Sequence, residues 1–202
     1  MNSENKLYRF YYRLTYIFIR IFYRLRIYGR ENIPEGSALI CANHSSNIDP
    51  FLIAYAFGIN HQLHIIAKIQ LFKIPILSSI LKKVGMISVD RDVLDTSSVK
   101  ATLNYLKSNE KVLIFPEGRR ISQGDSISAK SGAVKLAERA AAPIIPVHIP
   151  RKKPIFRKVT IIIGEPYFLE KPEKKRQSDD YVLLSESLME KIEVLDEIRK
   201  MG

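Results

Sequence analysis

Apolar residues in this chain fall into two kinds of run. Short, mostly apolar stretches occupy residues 38–42, 63–67, 85–89, 111–115, 143–149 and 159–163. Such stretches show no alternation because a strand covered on both faces is apolar throughout, so they predict buried strands. Between them, helices are expected from 51 to about 57, over the apolar stretch 71–83, from about 96 to 109, from 128 to 142 and from about 179 to 200. Alternating strands and helices imply an α/β domain with a mixed central sheet flanked by helices. No internal repeat is present.

The first 28 residues follow a different pattern. Lys6, Arg9, Arg13, Arg20 and Arg24 fall within an arc of roughly 60° on a helical wheel. Leu7, Tyr11, Leu14, Phe18, Phe22 and Leu25 line the opposite face. No uncharged run reaches the ~18 residues of a membrane-spanning helix, and no small-residue cleavage site follows the arginines. Residues 1–28 are therefore expected to form an amphipathic helix lying in a membrane interface, ahead of a domain over 29–202. A helix packing its apolar face on the domain is the alternative. The stretch 71–83 is expected to expose a further apolar surface.

Charge sharpens this picture. The 202-residue chain carries a formal net charge of +11. Residues 1–30 hold seven Lys/Arg and one acidic residue, and residues 151–176 hold nine and three, so the body is nearly neutral. Two basic patches would attract anionic lipid or nucleic acid alike. The aromatics concentrate in the N-terminal helix rather than in a nucleic-acid recognition motif, which disfavours nucleic acid. A single cysteine, Cys41, lies in an expected buried strand, which excludes an internal disulfide and a cysteine-based zinc site. His61 and His64 have metal-like spacing but no third ligand nearby, and are read as structural or surface residues with no metal bound.

The candidate chemistry sits at strand ends, where α/β sheets bind ligands. The run 38–42 leads into Asn43-His44-Ser45-Ser46-Asn47-Ile48-Asp49-Pro50. A neutral imidazole whose second nitrogen is held by a carboxylate can take the proton of an alcohol. The same residues also suit a plain helix opening, with Asp49 as cap and Pro50 at the first helical position. A second loop follows 111–115: Pro116-Glu117-Gly118-Arg119-Arg120 places a carboxylate and two guanidiniums at a strand end, suited to a phosphate or to a solvated turn. Lys130 near an expected helix start is a further anion-binding candidate.

Taken in order, Asn43-His44 with Asp49, Gly85 to Arg91, Phe115-Pro116-Glu117-Gly118 with Arg120, and Ile145-Pro146-Val147 resemble the four sequence blocks of the glycerolipid acyltransferase family. Within it, the bacterial 1-acylglycerol-3-phosphate acyltransferases are the nearest match, over roughly residues 25–170. The resemblance implies that His44 is the general base and Asp49 its orienting partner. It implies that Glu117, Gly118 and Arg120 hold the glycerol phosphate, that Arg91 assists, and that Pro146 shapes the pocket. Lys68 and Lys130 match basic positions between blocks. Arg119 stands where Thr is usual, Ile121 where Ser is usual, Gln70 for Glu and Ala129 for an aromatic residue. These departures bear on the acceptor headgroup rather than on acyl transfer.

The expected activity is transfer of an acyl group from acyl carrier protein or coenzyme A to the free hydroxyl of lysophosphatidic acid, on the cytoplasmic face of an anionic membrane. No metal and no cofactor beyond the thioester is expected. Two other readings remain: the same chemistry on glycerol-3-phosphate or another lysolipid, and a non-catalytic basic membrane-binding module.

Overall fold

The computed structural model describes residues 3–90, 95–121, 129–172 and 174–201. Its strands are β1 (Arg24–Tyr28), β2 (Ala38–Ala42), β3 (Leu63–Lys68), β4 (Ile87–Val89), β5 (Lys111–Ile114), β6 (Ile144–His148) and β7 (Lys158–Ile163). Its helices are α1 (Ser3–Phe22), α2 (Asp49–Phe57), α3 (Pro75–Lys83), α4 (Thr96–Lys107), α5 (Gly132–Ala140) and α6 (Ser178–Met201). The strands form one sheet in the order β1-β7-β6-β2-β5-β3-β4, parallel except where β6 meets β7. This is the expected mixed sheet flanked by helices.

β2 lies between β5 and β6 and is buried along its length. Its alternate residues feed two cores. Ala38, Ile40 and Ala42 pack with Leu52, Ile53, Ala56 and Phe57 of α2 and Ile19 of α1. Leu39 and Cys41 pack with Val134 and Ala137 of α5 and Leu188 and Ile192 of α6. The Cys41 thiol is fully buried, and desolvation pushes its pKa far up.

Several boundaries differ from the sequence expectation. The N-terminal helix ends at Phe22 instead of Tyr28, because Arg24-Leu25-Arg26-Ile27-Tyr28 alternates with the period of a strand and pairs in parallel with β7. The stretch 71–83 is split by Pro75, which lacks an amide to continue the preceding 3-10 turn Ile69–Lys73. It does expose Leu71, Ile74 and Ile76. α5 begins at Gly132, since the amide of Lys130 is taken by the carbonyl of Pro116. Residue 128, expected to open that helix, lies outside the described residues. Helix α4 forms where expected, with Asp95 capping it through bonds from the Ser97 and Ser98 amides.

α1 has three sectors. Tyr8, Tyr12 and Ile19 face the domain, where Tyr12 and Tyr16 stack on Tyr55 of α2. Phe10, Leu14, Ile17, Phe18 and Ile21 face outward and are exposed. The cations Lys6, Arg13 and Arg20 are exposed between the two. The helix thus docks on the domain by one edge and still presents an apolar face to its surroundings. No helix among the described residues is long and apolar enough to cross a membrane.

Candidate active site

The carboxyl end of β2 opens the site. Asn43 is buried, and its side chain spans to the end of β6: Nδ2 donates to the Ile149 carbonyl at 2.7 Å, and Oδ1 accepts from the Ile149 amide at 2.9 Å. This double bond fixes where the chain leaves the sheet. His44 follows, its ring stacked on Phe115 at 4.0 Å between centroids.

The two readings of Asp49 are separated here. The cap of α2 falls on Ile48, and no side chain caps it. The Asp49 carboxylate instead turns back into the loop. Oδ2 accepts from the Ser45 and Ser46 amides, both at 2.8 Å, and lies 3.0 Å from His44 Nδ1. Oδ1 pairs with Lys153 Nζ at 2.9 Å. Burial opposes ionisation of Asp49, but the bond to His44, the charge of Lys153 and the Ser45 amide outweigh it and hold the carboxyl below its ordinary value. An ionised Asp49 stabilises the tautomer with the proton on Nδ1. His44 Nε2 then carries the free lone pair, and no described group occupies it.

The second loop braces the same histidine from behind. Glu117 Oε2 accepts from the His44 amide at 2.9 Å, and the Ile121 amide donates to the His44 carbonyl at 2.8 Å. Glu117 is fully buried at its side chain and pairs loosely with Arg151 Nη2 at 3.5 Å. Arg151 pairs more closely with Glu193 of α6 at 2.7 Å. Burial raises the Glu117 pKa to about 7, against the opposing pull of the His44 amide and Arg151. The sequence resemblance assigned Glu117 to the glycerol phosphate. Its carboxylate faces the protein interior, and it acts on the site by holding the His44 backbone.

Gly118 adopts a left-handed φ of 68°, and a Cβ there would press on the Lys130 side chain at 3.0 Å. Lys130 therefore lies over the loop that carries Arg119 and Arg120. All three cations are exposed, as is Lys68 at the end of β3, and none forms an ion pair with the described residues. Arg91 lies outside the described residues. A cleft of about 610 Å³ opens beside Phe115, Gly118 and Lys130, walled by Ile66, Ile114 and Leu136. Pro146 lies in β6, paired with Cys41 and in contact with Gly164, so it shapes the sheet behind the loop.

Sequence reasoning missed Asn43 as a clamp, Phe115 as the stacking partner of His44, and Arg151 and Lys153 as inward-facing cations. The basic run 151–153 was visible, but only the sheet order brings the end of β6 beside the end of β2. His64, by contrast, is structural: its Nδ1 lies 2.8 Å from the Gly85 carbonyl, and its ring stacks on Tyr105. No group of three or more metal-type ligands occurs among the described residues.

The family model described as Acyltransferase matches residues 24–150. The chain belongs to the acyltransferase family. This acyltransferase is 34% identical over 183 residues to the 1-acyl-sn-glycerol-3-phosphate acyltransferase of Bacillus subtilis, covering 85% of this chain and 88% of that protein. It is 31% identical to the protein of the same name from Borreliella burgdorferi, covering 67% of this chain and 58% of that one. Its fold is that of the 1-acyl-sn-glycerophosphate (LPA) acyltransferase PlsC from Thermotoga maritima, with a TM-score of 0.70 at 23% identity, over 96% of this chain and 79% of that one. Arg151, Lys153 and α1 all lie outside the span of the family model.

Proposed function

We propose that this acyltransferase moves a fatty acyl group from a thioester, carried by acyl carrier protein or coenzyme A, to the free hydroxyl of 1-acylglycerol-3-phosphate, forming phosphatidic acid. The observation that carries this reading is the His44–Asp49 pair, with Nδ1 held at 3.0 Å and Nε2 open. Relatives named for this reaction support the choice of acceptor.

In this reaction Nε2 takes the hydroxyl proton as the acceptor oxygen attacks the thioester carbonyl. The tetrahedral intermediate collapses, the C–S bond breaks, and the imidazolium returns its proton to the leaving thiolate. An ester and a free thiol result, with no acyl-enzyme and no metal. Asp49 stabilises the transient imidazolium. Arg120, Arg119, Arg91, Lys68 and Lys130 supply cations for the acceptor phosphate, whose grip also positions the hydroxyl.

The outward apolar face of α1, edged by Lys6, Arg13 and Arg20, fits an anionic membrane surface on the cytoplasmic side. The acceptor's own chain stays in that layer. Arg119 beside Arg120 favours one second reading, a more anionic acceptor for the same chemistry.

A thiol-release assay tests the proposal. Protein in mixed micelles receives an acyl thioester with and without 1-acylglycerol-3-phosphate, beside His44→Ala. Acceptor-dependent thiol release that disappears in the variant is the expected result. Release that persists in His44→Ala removes the mechanism, and release only with glycerol-3-phosphate or another lysolipid changes the acceptor.

A further inference from the structure

We propose that the segment 150–158 is a second contact with an anionic lipid surface, fastened to the end of α1 so that the surface meets the catalytic loop. The proposal rests on the membrane reading of α1 and extends it to the outward residues of a segment whose inward cations, Arg151 and Lys153, brace the catalytic loop.

Residues 150–158 carry five cationic side chains and no acidic one. Two of the five turn inward: Arg151 to Glu193 and Glu117, and Lys153 to Asp49. Lys152, Arg157 and Lys158 remain exposed, with no ion-pair partner among the described residues. At the tip, Ile155 is 55% exposed and Phe156 is 63% exposed. Phe156 adopts a φ of 62°, a left-handed conformation that a bulky side chain takes only when its surroundings impose it.

The surroundings are α1. The Phe156 amide donates to the Phe22 carbonyl at 2.7 Å, and the two rings lie 5.8 Å apart. The outward apolar face of the helix, through Phe18, Ile21 and Phe22, therefore continues into Phe156 and Ile155. Next to this ridge, Arg24 and Lys158 sit in register on neighbouring strands, both exposed. Side-by-side like charges repel in water and are reconciled by a plane of anions. Exposed aromatics ringed by Lys and Arg suit the headgroup level of a bilayer, whereas an exposed isoleucine tip has no counterpart in a phosphate backbone.

The sheet puts this ridge beside the chemistry. β6 runs parallel to β2, so both end on the His44 side. β7 runs antiparallel to β6 and therefore starts there, as does β1, its parallel partner. The end of α1, the segment 150–158 and His44 thus share one end of the sheet. A lipid acceptor held in the layer touched by Phe22 and Phe156 meets the base from that side.

The chain has no tryptophan, so a single replacement gives an unambiguous reporter. Phe156→Trp and, on α1, Phe18→Trp are each mixed with vesicles of equal parts phosphatidylcholine and phosphatidylglycerol, with and without brominated acyl chains. Blue-shifted, bromine-quenched emission from both is the expected result. Insertion of Phe18→Trp while Phe156→Trp keeps its aqueous spectrum overturns this proposal and leaves the α1 reading standing. Aqueous spectra from both overturn the two together. A second measurement uses Ile155→Ser combined with Phe156→Gly. Glycine suits the left-handed φ, so thermal stability is expected to hold. Vesicle partitioning at high salt should fall about tenfold, and an unchanged partition overturns the proposal.

Discussion

Lys153 Nζ lies 2.9 Å from Asp49 Oδ1, on the opposite side of the carboxylate from His44. The ammonium is almost wholly buried and also reaches Ser45 Oγ. Asp49 therefore shares its charge between an imidazole and an ammonium, and both help hold its carboxyl below the ordinary 3.8. Lys153→Met removes one of them, so the variant should lose stability at neutral pH, and its difference from the wild type should shrink as pH falls below 3.8. Denaturant unfolding of both proteins across that range makes the comparison. A difference that does not change with pH would show that Lys153 does not act on the Asp49 charge.

Asp49→Asn keeps the shape of the loop but removes the charge that selects the tautomer and meets the imidazolium. By the logic of hydrogen-bonded histidine bases, kcat should fall by about 10³–10⁴. Steady-state kinetics with the acceptor saturating measures this. Folding should survive, because an amide oxygen can still accept from the Ser45 and Ser46 amides.

Asn43→Ala should cost stability in addition to activity. The amide and carbonyl of Ile149, both met by this side chain, would be left buried and unpaired. The expected loss is about 2–4 kcal/mol, read from urea unfolding. A loss below ~0.5 kcal/mol would mean that the end of β6 does not depend on this clamp.

Glu117 gives the protein a pH-dependent stability with a definite sign. Its folded pKa, about 7, lies above the ordinary 4.5, so the folded state binds the proton more tightly than the unfolded chain. Stability should therefore fall as pH rises from about 4.5 towards about 7 and level off beyond. In Glu117→Gln this component should be absent. Denaturant unfolding of both proteins at about pH 5 and about pH 8 makes the comparison. A wild-type curve that runs parallel to the variant's would contradict the environment described for Glu117.

Truncations separate α1 from the sheet. Removing residues 1–28 takes away β1, bares the edge of β7 and uncovers Val159 and Ile161. That product should aggregate. Removing residues 1–22 keeps β1 and should still unfold cooperatively by circular dichroism. Cooperative unfolding of the shorter product as well would show that β1 is dispensable.

Much of the site was readable from residue type and order. His44 and Asp49 stood out because an imidazole and a carboxylate follow the end of a buried strand in one loop, although the same residues also suited a plain helix opening. The buried strands and the start of α4 were readable because they depend on neighbours close in sequence, such as Asp95 with Ser97 and Ser98, whereas the cap that Asp49 could have formed on α2 gave way to its bonds within the loop. The end of α1 was misread because its basic stripe fits a helical wheel as far as Arg24, and only pairing with β7 reveals the strand. The bond from the His44 amide to Glu117 was not readable, because its two partners lie 73 residues apart in sequence.

The sequence by itself determined the α/β alternation, the cationic loops and the amphipathic N-terminus, since each follows from periodicity or spacing within a short window. Only the tertiary structure decided which charges work inward. The parallel pairing of β2 with β6 carries Arg151 and Lys153 to the His44 loop, over a hundred positions apart in the chain. Burial then favours the close pairing of Lys153 with Asp49, because a buried charged carboxylate without a partner is costly, while Arg151 reaches Glu117 only loosely. Lys152, one residue from each, stays at the surface. No local pattern distinguishes the three, because the difference lies in what the sheet places opposite them.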